Sequence, residues 1–132
     1  MADIETTTTN DEGFAAGNIV GEYELEIDAQ EKTGPSPNQV LVADYASCFT
    51  FAFRAGAMRS GHEDLGRIQT EAEANIDEDD DLTDIAFTML VEADLSDDEI
   101  DDLLAKAEDI CHVHAALREG LYADVTVEAD AF

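Results

Sequence analysis

Basic residues are scarce in this chain: six Lys and Arg stand against 33 Asp and Glu, a formal charge of -27 over 132 residues. That imbalance excludes the electrostatic grip on phosphate that nucleic acids and anionic membranes require, so neither is an expected partner. Cysteine is scarce too, with two residues, Cys48 and Cys111. In a reducing cytosol two thiols do not serve as a structural staple, so a disulfide framework is excluded while a transient or catalytic pair stays open. Long apolar runs are missing, and nothing approaches the roughly 18 residues of a membrane helix. The opening MADIETTTTNDEG also lacks the positive and apolar stretches of a secretion signal, so a cytoplasmic protein is expected.

What is present is acid and enough apolar residues for a core. The chain is 45% hydrophobic, sufficient for one ordinary domain without staples. Its charge exceeds what solubility needs, and the self-repulsion is tolerable only when screened. The Debye length is about 8 Å at physiological salt and roughly 3 Å at 1 M. The composition therefore points to a salt-rich cytosol, with the carboxylates as a solvated surface.

Residues 1–13 are polar, Thr-rich and acidic, with almost nothing to bury, and read as a flexible tail ahead of a single domain at 14–132. Beyond Ile19, Tyr23, Leu25 and Ile27 alternate with Glu22, Glu24, Glu26 and Asp28, the period of a half-buried strand. Lys32-Thr33-Gly34-Pro35 breaks it. Ser36-Pro37-Asn38-Gln39 then supplies a cap hydroxyl, a first-turn proline and a Gln at the third helical position, which predicts a helix from Pro37 to Arg59. Val40, Leu41, Cys48, Phe49, Phe51, Ala55 and Met58 make it apolar on nearly all sides, more than one small subunit can cover. Alternation predicts strands over 68–76 and 82–94, joined by the acidic turn Asp77 to Asp81. Ser96-Asp97-Asp98-Glu99 is a second capping box, opening a helix that reaches Cys111. A helical turn or two from His114 to Arg118 and a strand over 121–129 follow. The order describes an α+β domain with room for a further N-terminal strand.

A cysteine attacks as thiolate, and a free thiol near pKa ~8.5 is only a few per cent ionised at neutral pH, so a nearby cation is needed. Cys48 lies about three turns into its helix, beyond the reach of the helix dipole. Arg54 and Arg59 are not at the three- or four-residue spacing that would set them beside it. On local pattern alone Cys48 is a small core residue or a nucleophile that awaits a cation from elsewhere. Cys111, His112 and His114 are donors that zinc or copper accept. Their spacing matches no finger pattern and no second cluster exists, so no metal or cofactor is expected, and the histidines read as polar residues at the helix mouth. Asp77 to Asp81 lacks the Gly and distal Glu of a calcium loop and reads as a solvated turn. Phosphate-binding glycine loops, G-x-S-x-G and H-E-x-x-H do not occur.

Two segments resemble the OsmC/Ohr family, the osmotically inducible and organic hydroperoxide resistance proteins. GPSPNQVLVADYASCF is similar to the family's Gly-Pro-x-Pro-Glu-x-Leu stretch, which leads to a reactive Cys in a buried helix; Pro37 to Cys48 keeps the family's interval of eleven residues. DLSDDEIDDLLAKAEDICHVHAALREG is similar to the family's acidic capped helix ending in Cys-Pro-Val-x-x-Ala-Leu, here Cys111, Val113, Ala116 and Leu117. The resemblance spans about residues 17–130. It implies an antiparallel sheet with a long buried helix, in an intertwined homodimer with active sites at the subunit interface.

The resemblance also implies a cysteine-based peroxidase. Cys48 would attack an organic hydroperoxide, become a sulfenic acid, and condense with Cys111 to a disulfide that a cellular dithiol reduces. Two departures stand out. The family peroxidases use an Arg from the N-terminal strands, oriented by the Glu of the Pro-Glu step. Here Asn38 occupies that Glu position, and residues 1–31 contain no Arg or Lys. The alternative expectation is an OsmC-fold protein without peroxidase activity that binds a small apolar or redox-active ligand at the dimer interface.

Overall fold

Threonine makes the first difference from expectation. Thr6–Thr9, inside the segment whose polarity predicts a tail, forms strand β1 and pairs antiparallel with β2 (Ala15–Val20) from Thr6↔Val20 to Thr9↔Gly17. β-Branched side chains favour extended backbone without needing burial, and all four threonines are exposed. Asn10 fixes the connecting turn, its side-chain amide donating to the carbonyls of Ala15 at 2.7 Å and Glu12 at 3.1 Å. Strand β3 (Tyr23–Asp28) completes a three-stranded meander, and Gly21, at φ 62, supplies the left-handed residue of the tight β2–β3 turn.

The structure, a computed structural model, describes residues 2–132. Its contacts divide into two compact units, one ending at Leu41 and the other running from Val42 to Phe132. The loop that closes the first unit is built on Asp28, whose side chain accepts the backbone N–H groups of Gln30 (2.8 Å), Lys32 (3.1 Å) and Thr33 (3.1 Å) and the Thr33 hydroxyl. These bonds, the Gln30 N–H foremost, favour the carboxylate and hold Asp28 below its usual pKa. Gly34 is required in this loop, because a Cβ there would lie 2.5 Å from the Glu26 carbonyl oxygen.

Helix α1 (Pro37–Arg59) begins with the reciprocal cap that the sequence predicts: Gln39 N donates to Ser36 Oγ at 3.2 Å and Ser36 N to Gln39 Oε1 at 2.8 Å. In the second unit its Tyr45, Phe49, Ala52, Phe53, Gly56 and Ala57 are buried. They share the core with Ile85, Phe87, Met89 and Val91 of strand β5 (Leu82–Val91). The ring centroids of Tyr45 and Phe87 are 4.9 Å apart, those of Phe49 and Phe87 5.7 Å. On other faces of α1, Phe51 is 69% and Met58 58% exposed, as its apolar circumference leads one to expect for a single subunit.

Strand β4 (Ile68–Ile76) pairs antiparallel with β5, but β6 (Asp124–Glu128) runs parallel to β5. The family resemblance leads one to expect an antiparallel sheet. The parallel pair forms because helix α2 (Asp97–Ile110), helix α3 (His112–Ala116) and a 3-10 turn at Glu119–Leu121 lie between β5 and β6, a connection long enough to return the chain in the same direction. Ser96 and Glu99 make the predicted capping box of α2. At Gly56 a Cβ would come within 3.0 Å of Lys106 Cβ, so α1 and α2 approach closely where α1 carries no side chain.

Candidate functional site

Both cysteines fall in the second unit, and both are free thiols; Cys48 is half-buried on α1 and Cys111 is 1% exposed. Cys111 is the residue at which α2 ends and α3 begins. Its N–H closes α2 on the Ala107 carbonyl at 2.9 Å, and its extended backbone (φ -66, ψ 112) reorients the chain. Its Sγ caps α3 by accepting the His114 N–H at 3.4 Å. Burial, above all, pushes the Cys111 thiol up to about 11 despite that bond, and the Cys48 side chain, close enough to act by hydrogen bonding and by charge, pushes the same way. Cys111 is therefore a protonated thiol at neutral pH.

Tyr45 precedes Cys48 by three residues on the same helix and so lies on nearly the same face. It is fully buried, and burial, the largest influence, raises its phenol above the ordinary value. Its hydroxyl accepts the Ala123 N–H at 3.0 Å and lies 2.7 Å from His114 Nδ1. With the Ala123 N–H donating on one side, the hydroxyl keeps its own proton free to donate to an unprotonated Nδ1. The His114 ring stacks on Tyr122 at 4.0 Å between centroids with a 26° interplanar angle.

Four of the six cations are committed elsewhere. Arg54 Nη2 donates to the Gly66 carbonyl at 2.7 Å and Arg118 Nη2 to the Leu82 carbonyl at 3.1 Å. Arg67 lies over the Phe132 ring at 5.2 Å, and Lys106 pairs with Asp102 at 2.6 Å and bonds Ser60. The Cys111-His112-Val113-His114 segment does not gather ligands: His112 is exposed, and His114 Nδ1 faces the Tyr45 hydroxyl. Among the described residues no group of three or more His, Cys, Asp or Glu is arranged to hold a metal ion.

The structure thus brings together the two cysteines that the sequence singles out and adds Tyr45 and Tyr122, which pattern reading passes over. A signal for Tyr45 existed: a phenol in an otherwise apolar helix stretch needs a polar partner once buried. Its partner could not be read from the sequence, because His114 is 69 residues away.

The family model described as OsmC-like protein matches residues 6–127. A protein of Haloferax volcanii described only as uncharacterized is 54% identical over 132 residues, covering 100% of both chains. Among solved structures, an OsmC-like protein from Mycoplasma pneumoniae is similar with a TM-score of 0.83 at 17% identity, covering 97% of each chain. An organic hydroperoxide resistance protein OsmC from Legionella pneumophila gives 0.75 at 20% identity, covering 97% of this chain and 98% of that one. The organic hydroperoxide resistance protein OhrB of Bacillus subtilis gives 0.68 at 23%, with the same coverage. These low identities carry the fold. Together with a family model that takes in nearly the whole chain, both cysteines included, they establish that the chain belongs to the OsmC-like protein family.

Proposed function

We propose that this chain is a cysteine-based peroxidase that reduces organic hydroperoxides, working as a homodimer. The observation that carries the reading is the thiol pair: two free cysteines of unlike exposure, close enough to influence each other, within one compact unit. The more accessible Cys48 is the peroxidatic residue. Its sulfur attacks the peroxide oxygen, the O–O bond breaks, and Cys48 becomes a sulfenic acid as the alcohol leaves. Cys111 then displaces the sulfenic oxygen as water and closes the disulfide, and two electrons from a cellular dithiol restore both thiols. The high pKa of Cys111 suits the resolving role, since a protonated buried thiol does not compete for peroxide.

The dimer is favoured by apolar surface that a single chain leaves bare: Phe51 and Met58 on α1, Ile76 on β4, and Ile19, Tyr23 and Leu25 in the first unit. With Asn38 in place of the family's Glu and no basic residue before Lys32, turnover is expected to fall well below that of relatives that keep the Arg–Glu pair. The test is a thiol count before and after one equivalent of cumene hydroperoxide in molar KCl. Loss of both thiols with appearance of the Cys48–Cys111 disulfide supports the peroxidase. Two intact thiols would overturn it and leave the alternative, a protein that binds a small apolar or redox-active ligand at the dimer interface.

A further inference from the structure

The resolving cysteine sits on a weak support. Helix α3 has five residues, none of them fully buried, and an isolated helix so short does not hold itself together. What ties it down is His114. The imidazole faces the hydroxyl of the fully buried Tyr45 at 2.7 Å and stacks on Tyr122, while the backbone N–H of the same residue bonds Cys111 Sγ. Tyr45 is itself anchored by Ala123 N at the entry to β6. Tyr45 and Cys48 share one rigid helix, three residues apart. A closed circuit results: α1 carries Cys48 and Tyr45, Tyr45 grips the His114 ring, and the His114 N–H grips the sulfur that Cys48 must meet.

We propose that the Tyr45–His114 hydrogen bond is a positioning clamp that sets Cys111 Sγ against Cys48 and so governs the rate of disulfide closure. Tyr45 and His114 are positioning residues and exchange no electrons. The clamp rests on the thiol-pair reading above, but it concerns the closure step alone. In that step the Cys111 S–H bond breaks, the S–S bond forms on the Cys48 sulfur, and the sulfenic oxygen leaves as water with the thiol's proton.

Closure can be driven without peroxide by diamide. One thiol adds across its N=N bond, and the second displaces the adduct, giving the disulfide and the reduced hydrazine. Tyr45→Phe keeps the ring and removes the donor. It is expected to slow diamide closure at least tenfold and, after cumene hydroperoxide, to let a Cys48 sulfenic acid accumulate that dimedone traps. His114→Asn keeps an acceptor near the Nδ1 position and should close faster than His114→Phe, which keeps stacking and loses the acceptor. A purely structural role would not produce that rescue. Closure of Tyr45→Phe at the wild-type rate overturns the clamp. Should Tyr45→Phe fail to fold, the two His114 variants decide, and equal rates overturn it. A wild type that closes with diamide but ignores hydroperoxide would sink the peroxidase reading while leaving the clamp to stand on the variants.

Discussion

The two units of this protein fold on different terms. In the second, α1, α2 and β5 bury aromatic and aliphatic side chains from Tyr45 to Leu121. In the first, Asp28 is the one fully buried residue described, while Ile4, Phe14, Ile19, Val20, Tyr23 and Leu25 are exposed. The first unit is held by backbone ladders, by Asn10 at one turn and by the Asp28 carboxylate in its closing loop. A three-stranded sheet without a buried apolar face is marginal in water. The difference teaches that the second unit carries its own apolar core and both thiols, whereas the first is held by backbone and polar hydrogen bonds and leaves its large apolar side chains exposed.

The largest expected effect is chemical and tests whether all reactivity belongs to the second unit. Cys48→Ser should abolish hydroperoxide reduction, measured as peroxide consumed in the presence of a dithiol. Cys111→Ser should still form the Cys48 sulfenic acid but stall there. Undiminished consumption by Cys48→Ser would move the chemistry elsewhere.

Next comes packing. Phe53→Ala, inside the second unit's core, should cost about 3–5 kcal/mol whatever the protein concentration. Tyr23→Ala, on the exposed sheet of the first unit, should act through the proposed homodimer at a hot-spot scale of about 2 kcal/mol, as a lower melting temperature that recovers with concentration. Sedimentation in molar salt that finds only a 14.3 kDa monomer would overturn the proposed homodimer and with it the concentration dependence expected for Tyr23→Ala.

Salt should matter to the whole chain. With a formal charge of -27, the melting temperature should rise steeply between low and molar KCl as self-repulsion is screened. A flat response would count against a salt-adapted surface.

The smallest expected effect is local to Asp28. Its folded pKa lies below the ordinary 3.8, so the unfolded state binds the proton more readily as acid is added. The stability that Asp28 contributes is present above that ordinary value and is lost as pH falls through the lower folded one. Asp28→Asn should therefore flatten the acid limb of the unfolding curve below about pH 4. An acid limb of unchanged steepness would show that this loop does not set the first unit's response.

How much of this was legible in the sequence depends on distance along the chain. The start of α1 could be read because Ser36, Pro37 and Gln39 interact within three residues of one another, and the same holds for Ser96 and Glu99 at α2. The β4 and β5 alternation was legible because a strand's period is written in consecutive residues. Thr6–Thr9 was misread as a tail because its pairing with Ala15–Val20 leaves no apolar stripe to see. The thiols could be named from their motifs, but their approach to each other could not be measured.

By itself, then, the sequence determined the helices and their caps, most of the strands, the acid surface and the identity of the two cysteines, since each depends on residue type and on neighbours within a few positions. Only the tertiary structure decided that β6 returns parallel to β5, that Cys48 comes within reach of Cys111, and that Tyr45 meets His114 and Ala123. Those contacts join segments many turns apart, where chain connectivity permits many pairings and only the packing of the whole unit selects one.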